Sequence, residues 1–86
     1  MEIRPAGSNM TELEAEDGTT VLFSYTTPVA AFAPGVGFIR TEESFSASTT
    51  KHINKWIKKN GSPKSTVMEC PQELLEDLVE AIRREG

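Results

Sequence analysis

The hydrophobic period of this chain changes near Ser46, and that change constrains the fold more than any other feature. Before it, apolar residues tend to recur at every second position; after it, they recur at three- and four-residue spacing. The first rhythm suits strands, whose side chains alternate between faces, and the second suits helices. Strands followed by helices define an α+β domain.

In the first half, Leu13 and Ala15 alternate with Glu12, Glu14 and Glu16, as in a half-exposed strand. Asp17–Gly18 then reads as a type I′ hairpin turn, whose two central positions both take positive φ. Thr19–Ala33 is rich in β-branched and aromatic residues, with Val21, Phe23 and Tyr25 sharing a face. Pro28 cannot donate a ladder hydrogen bond and marks a bulge or bend. A turn is not expected there, because Thr26–Thr27 offers no glycine. Pro34–Gly35 supplies a second turn, and Val36–Phe45 forms a third strand with Ile39 and Phe45 in the same parity. Two short connections in succession imply an antiparallel meander.

In the second half, Ser46 or Ser48 can cap a helix by accepting from a free first-turn amide. Ile53, Trp56 and Ile57 form its apolar stripe, and Asn60–Gly61 stops it. Ser62–Ser65 reads as a linker, and Thr66–Met68 as an optional short strand. Pro71 suits the first position of a final helix, where its missing amide hydrogen costs nothing. Leu74, Leu75, Leu78, Ala81 and Ile82 give that helix its stripe, with acids near its start and Arg83–Arg84 near its end. The expected architecture is a three-stranded antiparallel β-meander followed by two α-helices packed on one face (βββαα). It occupies 10–86 as one domain, behind a flexible segment 1–9 that contains Pro5, Gly7 and Ser8.

Eighty-six residues leave room for one core. The single Cys70 excludes an internal disulfide, and with a single His52 it offers no zinc quartet. No apolar run approaches the roughly 18 residues that a membrane span needs, and the first residues lack a signal-peptide pattern. A reducing, cytoplasmic setting is expected, with no membrane, metal or cofactor.

Charge is distributed unevenly. Residues 40–65 hold six of the nine Lys and Arg (Arg40, Lys51, Lys55, Lys58, Lys59 and Lys64) against only Glu42 and Glu43. The flanking segments are acidic, so the formal net charge is −4. A basic centre of this kind attracts anions locally despite the acidic whole. The lysine spacings place three or four on one helix face, where they can neutralise phosphates, with Trp56 or Phe45 available for base stacking. The competing reading is a solvated helix face with Trp56 turned into the core.

His52, with Thr49, Thr50 and Tyr25 nearby, resembles an acid/base site, but it lacks a nucleophile–base–carboxylate set and reads better as a hydrogen-bonding spacer. Glu42 and Glu43 are consecutive, point to opposite faces of a strand and read as solvated charges. Cys70 at a helix entrance reads as partly buried and structural. The hydroxyl run Ser44–Thr50 suits capping more than anion binding. Gly35–Gly37 is a turn, too short for a phosphate loop.

Three runs carry a family resemblance: FSYTTPVA over Phe23–Ala30, GFIRT over Gly37–Thr41, and FSASTTKHINKW over Phe45–Trp56. They resemble a family of small uncharacterised proteins of bacterial and archaeal viruses and mobile elements. Its pattern is an SYxTPVA strand, an aromatic-rich second strand and a TTxHINx-aromatic helix start. The likeness covers roughly residues 20–60, with a weaker echo at Pro71. It implies a viral or mobile-element context inside a prokaryotic cell and carries no activity or site residue.

Two functions remain in view, both non-enzymatic. One is nucleic-acid binding through Arg40, Lys51, Lys55, Lys58, Lys59 and Lys64. The alternative is a protein–protein module, an adaptor or inhibitor of a host or viral protein. It would use the acidic strand Glu12–Asp17, the acidic face of the last helix or a sheet edge.

Overall fold

The structure is a computed structural model that describes residues 1–61 and 66–85. The expected linker Ser62–Ser65, including Lys64, lies outside the described residues. The elements run β1 (Glu2–Gly7), β2 (Met10–Glu14), β3 (Thr20–Ser24), β4 (Thr27–Ala33), β5 (Gly37–Thr41), α1 (Ala47–Asn60), β6 (Val67–Cys70) and α2 (Gln72–Glu85). All the strands form one sheet in the order β1-β2-β3-β4-β5-β6. β1 to β5 are an antiparallel meander, and β6 joins β5 in parallel after the α1 crossover. The domain is α+β with two helices, as expected, but the three-stranded meander is too coarse and β6 falls between the helices rather than before them.

Three differences account for the extra strands. First, residues 1–9 hold β1, an edge strand paired with β2 from Glu2↔Glu14 to Gly7↔Met10. The segment looked irregular because an edge strand tolerates a proline and buries little. Second, the chain turns at Tyr25–Thr26, between the paired Ser24 and Thr27. The turn forms without glycine because Tyr25 itself takes a positive φ of 57°. The bulge near Pro28 is also present: Leu22 pairs with Ala30 and Phe23 with Pro28, leaving Val29 as the extra residue. Third, the optional strand forms as β6, pairing Phe38↔Val67 through Thr41↔Cys70.

Other expectations shift in detail. The turn after β2 has three residues rather than two: Ala15 N–H donates to Thr19 O at 2.8 Å, and only Gly18 has positive φ (95°). Asp17 Oδ1 accepts from Thr19 N–H at 2.9 Å instead of taking a left-handed conformation. At Pro34–Gly35, the 3.0 Å bond from Val36 N–H to Ala33 O and the φ of 83° at Gly35 fit a type II turn. β5 stops at Thr41, so Phe45 is exposed in a loop instead of extending the strand.

The helices cover opposite faces of the sheet, which corrects the expectation of one shared face. Ile53 and Trp56 of α1 pack with Met10, Leu22, Val29, Ala30 and Phe38. Leu75 and Ile82 of α2 pack with Leu13, Ala15, Val21, Ala31, Ile39 and Cys70. The cause lies in β3, β4 and β5, where Val21–Leu22, Ala30–Ala31 and Phe38–Ile39 send neighbouring apolar side chains to both faces. Each face needs its own cover. The α2 stripe is rotated from the expected one: Val79 turns inward, while Leu74 and Ala81 are exposed. α2 packs chiefly on β4, with further contact to β3.

Candidate nucleic-acid interface

Helix α1 is fixed at its start by Ser46, whose side chain accepts from Thr49 N–H at 3.3 Å, settling the choice between Ser46 and Ser48. At its end the N–H of Gly61 donates to Ile57 O at 2.8 Å. Thr49, Ile53 and Trp56 are its buried residues. At about 100° of rotation per residue, Lys51, Lys55, Lys58 and Lys59 fall within an arc of roughly 100° on the opposite side. All four are exposed, and no ion pair among the described residues involves them. The last two also lie in the final turn, where the helix dipole favours cations.

Arg40 comes from β5 on the α1 side of the sheet, one parity step from Phe38. Its Nη1 donates to Asn54 Oδ1 at 3.3 Å. Asn54 is three residues from Lys51 and four from Lys58, so Arg40 borders the lysine face. Exposed Glu69 is its register partner on β6. Five of the six expected cations thus share one side of the molecule, and Lys64 lies outside the described residues.

The opposite flank carries His52, three residues before Lys55 and seven before Lys59. Ser24 Oγ lies 2.8 Å from His52 Nδ1 and 3.1 Å from Thr49 Oγ1, and Ser46 Oγ donates to Thr49 Oγ1 at 3.3 Å. The Tyr25 ring sits 5.7 Å from the imidazole, tilted by 49°. Ser24 is only 2% exposed. A hydroxyl sealed in this way is poorly placed to attack a substrate, and the network ties β3 to the first turns of α1. The sequence does not single out Ser24, because the β3–β4 turn that ends its strand carries no glycine signal.

Trp56 is also only 2% exposed and packs edge-on against Phe38, with ring centroids 5.6 Å apart. It therefore offers no face for stacking, while Phe45 at 43% and Tyr25 at 54% exposure do. The Trp56 indole N–H donates to Glu12 Oε1 at 2.6 Å. Glu12 Oε2 accepts from Arg4 Nε at 2.9 Å, and Arg4 reaches Glu14 at 2.6 Å and Glu2 at 3.7 Å. Glu14 first, then Glu12, holds the Arg4 guanidinium even more firmly in its charged form. Part of the acidic strand is thereby neutralised internally.

Glu42 and Glu43 are exposed loop residues. Burial, aided by Glu42, pushes the Cys70 thiol pKa up, the opposite of an activated cysteine. No cluster among the described residues could hold a metal ion. No described helix is long and apolar enough to cross a membrane.

The chain belongs to a family of unknown function, DUF8033, whose model matches residues 1–74. The match takes in the whole meander, α1 and β6, and stops just inside α2. No curated protein and no solved structure matches it.

Proposed function

We propose that this protein is a small non-enzymatic binding module that holds nucleic acid by its phosphates. One observation carries the reading: four exposed lysines line the outer face of α1, opposite the buried stripe and without ion-pair partners among the described residues. Arg40 extends that face across Asn54. Ammonium groups held by a packed helix attract a polyanion through counterion release, with little discrimination among sequences. The sequence motifs support a viral or mobile-element setting in the cytoplasm of a prokaryotic host.

A salt titration against short oligonucleotides tests the reading. With about four phosphates neutralised, log K should fall with log salt at a slope of roughly −3 to −4. The combined change Lys55→Glu, Lys58→Glu and Lys59→Glu should abolish binding while the fold persists. Absence of binding at low salt removes the proposal.

A second reading, a protein–protein module, has its own support on the opposite side of the sheet. A groove of about 430 Å³ runs there between Ile3, Leu13, Phe23 and Val79. Ile3 is highly exposed for an isoleucine. Recovery of a defined host or viral protein after nuclease treatment, lost on Ile3→Asp, would favour this reading over the first.

A further inference from the structure

We propose that Tyr25 is a base-stacking residue that makes the α1 face selective for unpaired nucleic acid over duplex. The inference rests on the phosphate-binding reading of the lysine face and adds the structural class of its ligand.

Tyr25 occupies the first position of a two-residue hairpin loop at φ 57°, a conformation that bulky side chains rarely adopt. Asn9, the other non-glycine residue at positive φ among those described, is of a type that tolerates it. The tyrosine ring is not held there to fill the core, since the residue is 54% exposed. Strain retained at an exposed aromatic points to use of the side chain.

Its placement indicates the use. The imidazole of His52 lies beside the ring, with centroids 5.7 Å apart, and buried Ser24 anchors that imidazole through Nδ1. His52 is followed at i+3 by Lys55 and at i+7 by Lys59, so an aromatic surface adjoins the cationic face along one flank of α1. Trp56 cannot serve this purpose because it is sealed inside. A strand whose phosphates follow the lysines can lay a splayed base on Tyr25. In a duplex the bases are stacked within the helix and only the phosphates reach the protein. Cationic grooves bordered by aromatics are the usual means of holding single strands without regard to sequence.

Fluorescence anisotropy with the full chain can test this, using labelled single strands of about 12 nucleotides, as DNA and as RNA, and the matching DNA duplex. The single strands should bind more tightly than the duplex. Tyr25→Gly removes the ring while suiting the positive φ, so the fold should melt no lower than the parent. It should weaken single-strand binding by about 5- to 100-fold, the range expected for one lost stack, and leave duplex binding within about twofold. Tyr25→Trp should keep the single-strand affinity. Loss on both DNA and RNA identifies the base face as the feature recognised; loss on one alone identifies that acid as the ligand. Equal effects of Tyr25→Gly on single strand and duplex, or none, overturn the stacking role. If the triple lysine change still abolishes binding in that case, phosphate binding itself survives. Binding that persists in the triple lysine variant overturns the phosphate reading instead.

Discussion

The indole N–H of Trp56 donates to Glu12 Oε1 at 2.6 Å, joining α1 to β2 across 44 positions of sequence. Glu12 hands the connection on to Arg4 of edge strand β1. The helix that carries the lysines is thus fastened to the far end of the meander by a polar chain, in addition to the apolar packing beneath it. A cationic face can address several phosphates at once only if its helix does not slide.

Glu12→Ala should therefore leave a buried indole N–H without an acceptor and deprive Arg4 of its most enclosed partner. The expected cost is about 1–3 kcal/mol, read as a lower urea midpoint with an unchanged slope. A double-mutant cycle with Trp56→Phe should return a coupling of about 0.5–3 kcal/mol. Additive single effects would show that the bond contributes nothing beyond its neighbours.

Ser24→Ala removes the hydroxyl that meets both Thr49 and His52. Two polar groups then lose a partner near the core, at an expected cost of about 1–2 kcal/mol. For a domain of this size that lowers Tm by roughly 4–8 °C per kcal/mol. An unchanged Tm would mean that water replaces the hydroxyl without loss.

The backbone amide of Thr19, followed by its side chain, holds the Asp17 carboxyl below the ordinary carboxylate range. The folded state therefore resists protonation more than the unfolded one does. The stability this contributes is complete above the unfolded pKa of about 4 and disappears as pH falls through the lower folded value. Wild type should exceed Asp17→Ala in urea midpoint at neutral pH, and the gap should close in strong acid. A gap that stays constant through the acid range contradicts this assignment.

Cys70 is buried, and burial pushes its thiol pKa upward. Ellman's reagent near pH 8 should react with the native protein far more slowly than with the chain in concentrated urea. Equal rates would place the thiol at the surface. Cys70→Ala should leave the proposed nucleic-acid binding untouched, because the residue packs against the α2 side of the sheet.

The two helices were legible because each combines a 3.6-residue stripe with its own stop and start signals, Ser46 to Gly61 in one and Pro71 onward in the other. The lysine face followed from the same rotation, since positions opposite a buried stripe must face water. β1 and the Tyr25 turn were not legible. An edge strand such as Glu2–Gly7 is held by backbone bonds to β2 and shows little apolar pattern. A hairpin turn led by tyrosine carries none of the expected glycine chemistry.

The sequence by itself determined that the fold is α+β with two helices in its second half, which residues make α1 amphipathic, and that a basic segment lies between acidic ends. Periodicity and charge are local properties, readable within a few turns of chain. Only the tertiary structure decided that the helices take opposite faces of the sheet, that Glu12 receives the Trp56 indole, and that Tyr25 and Ser24 gather at His52. Those relationships join residues 25 to 44 positions apart, and their geometry depends on sheet register and on a turn whose bend no local signal predicts.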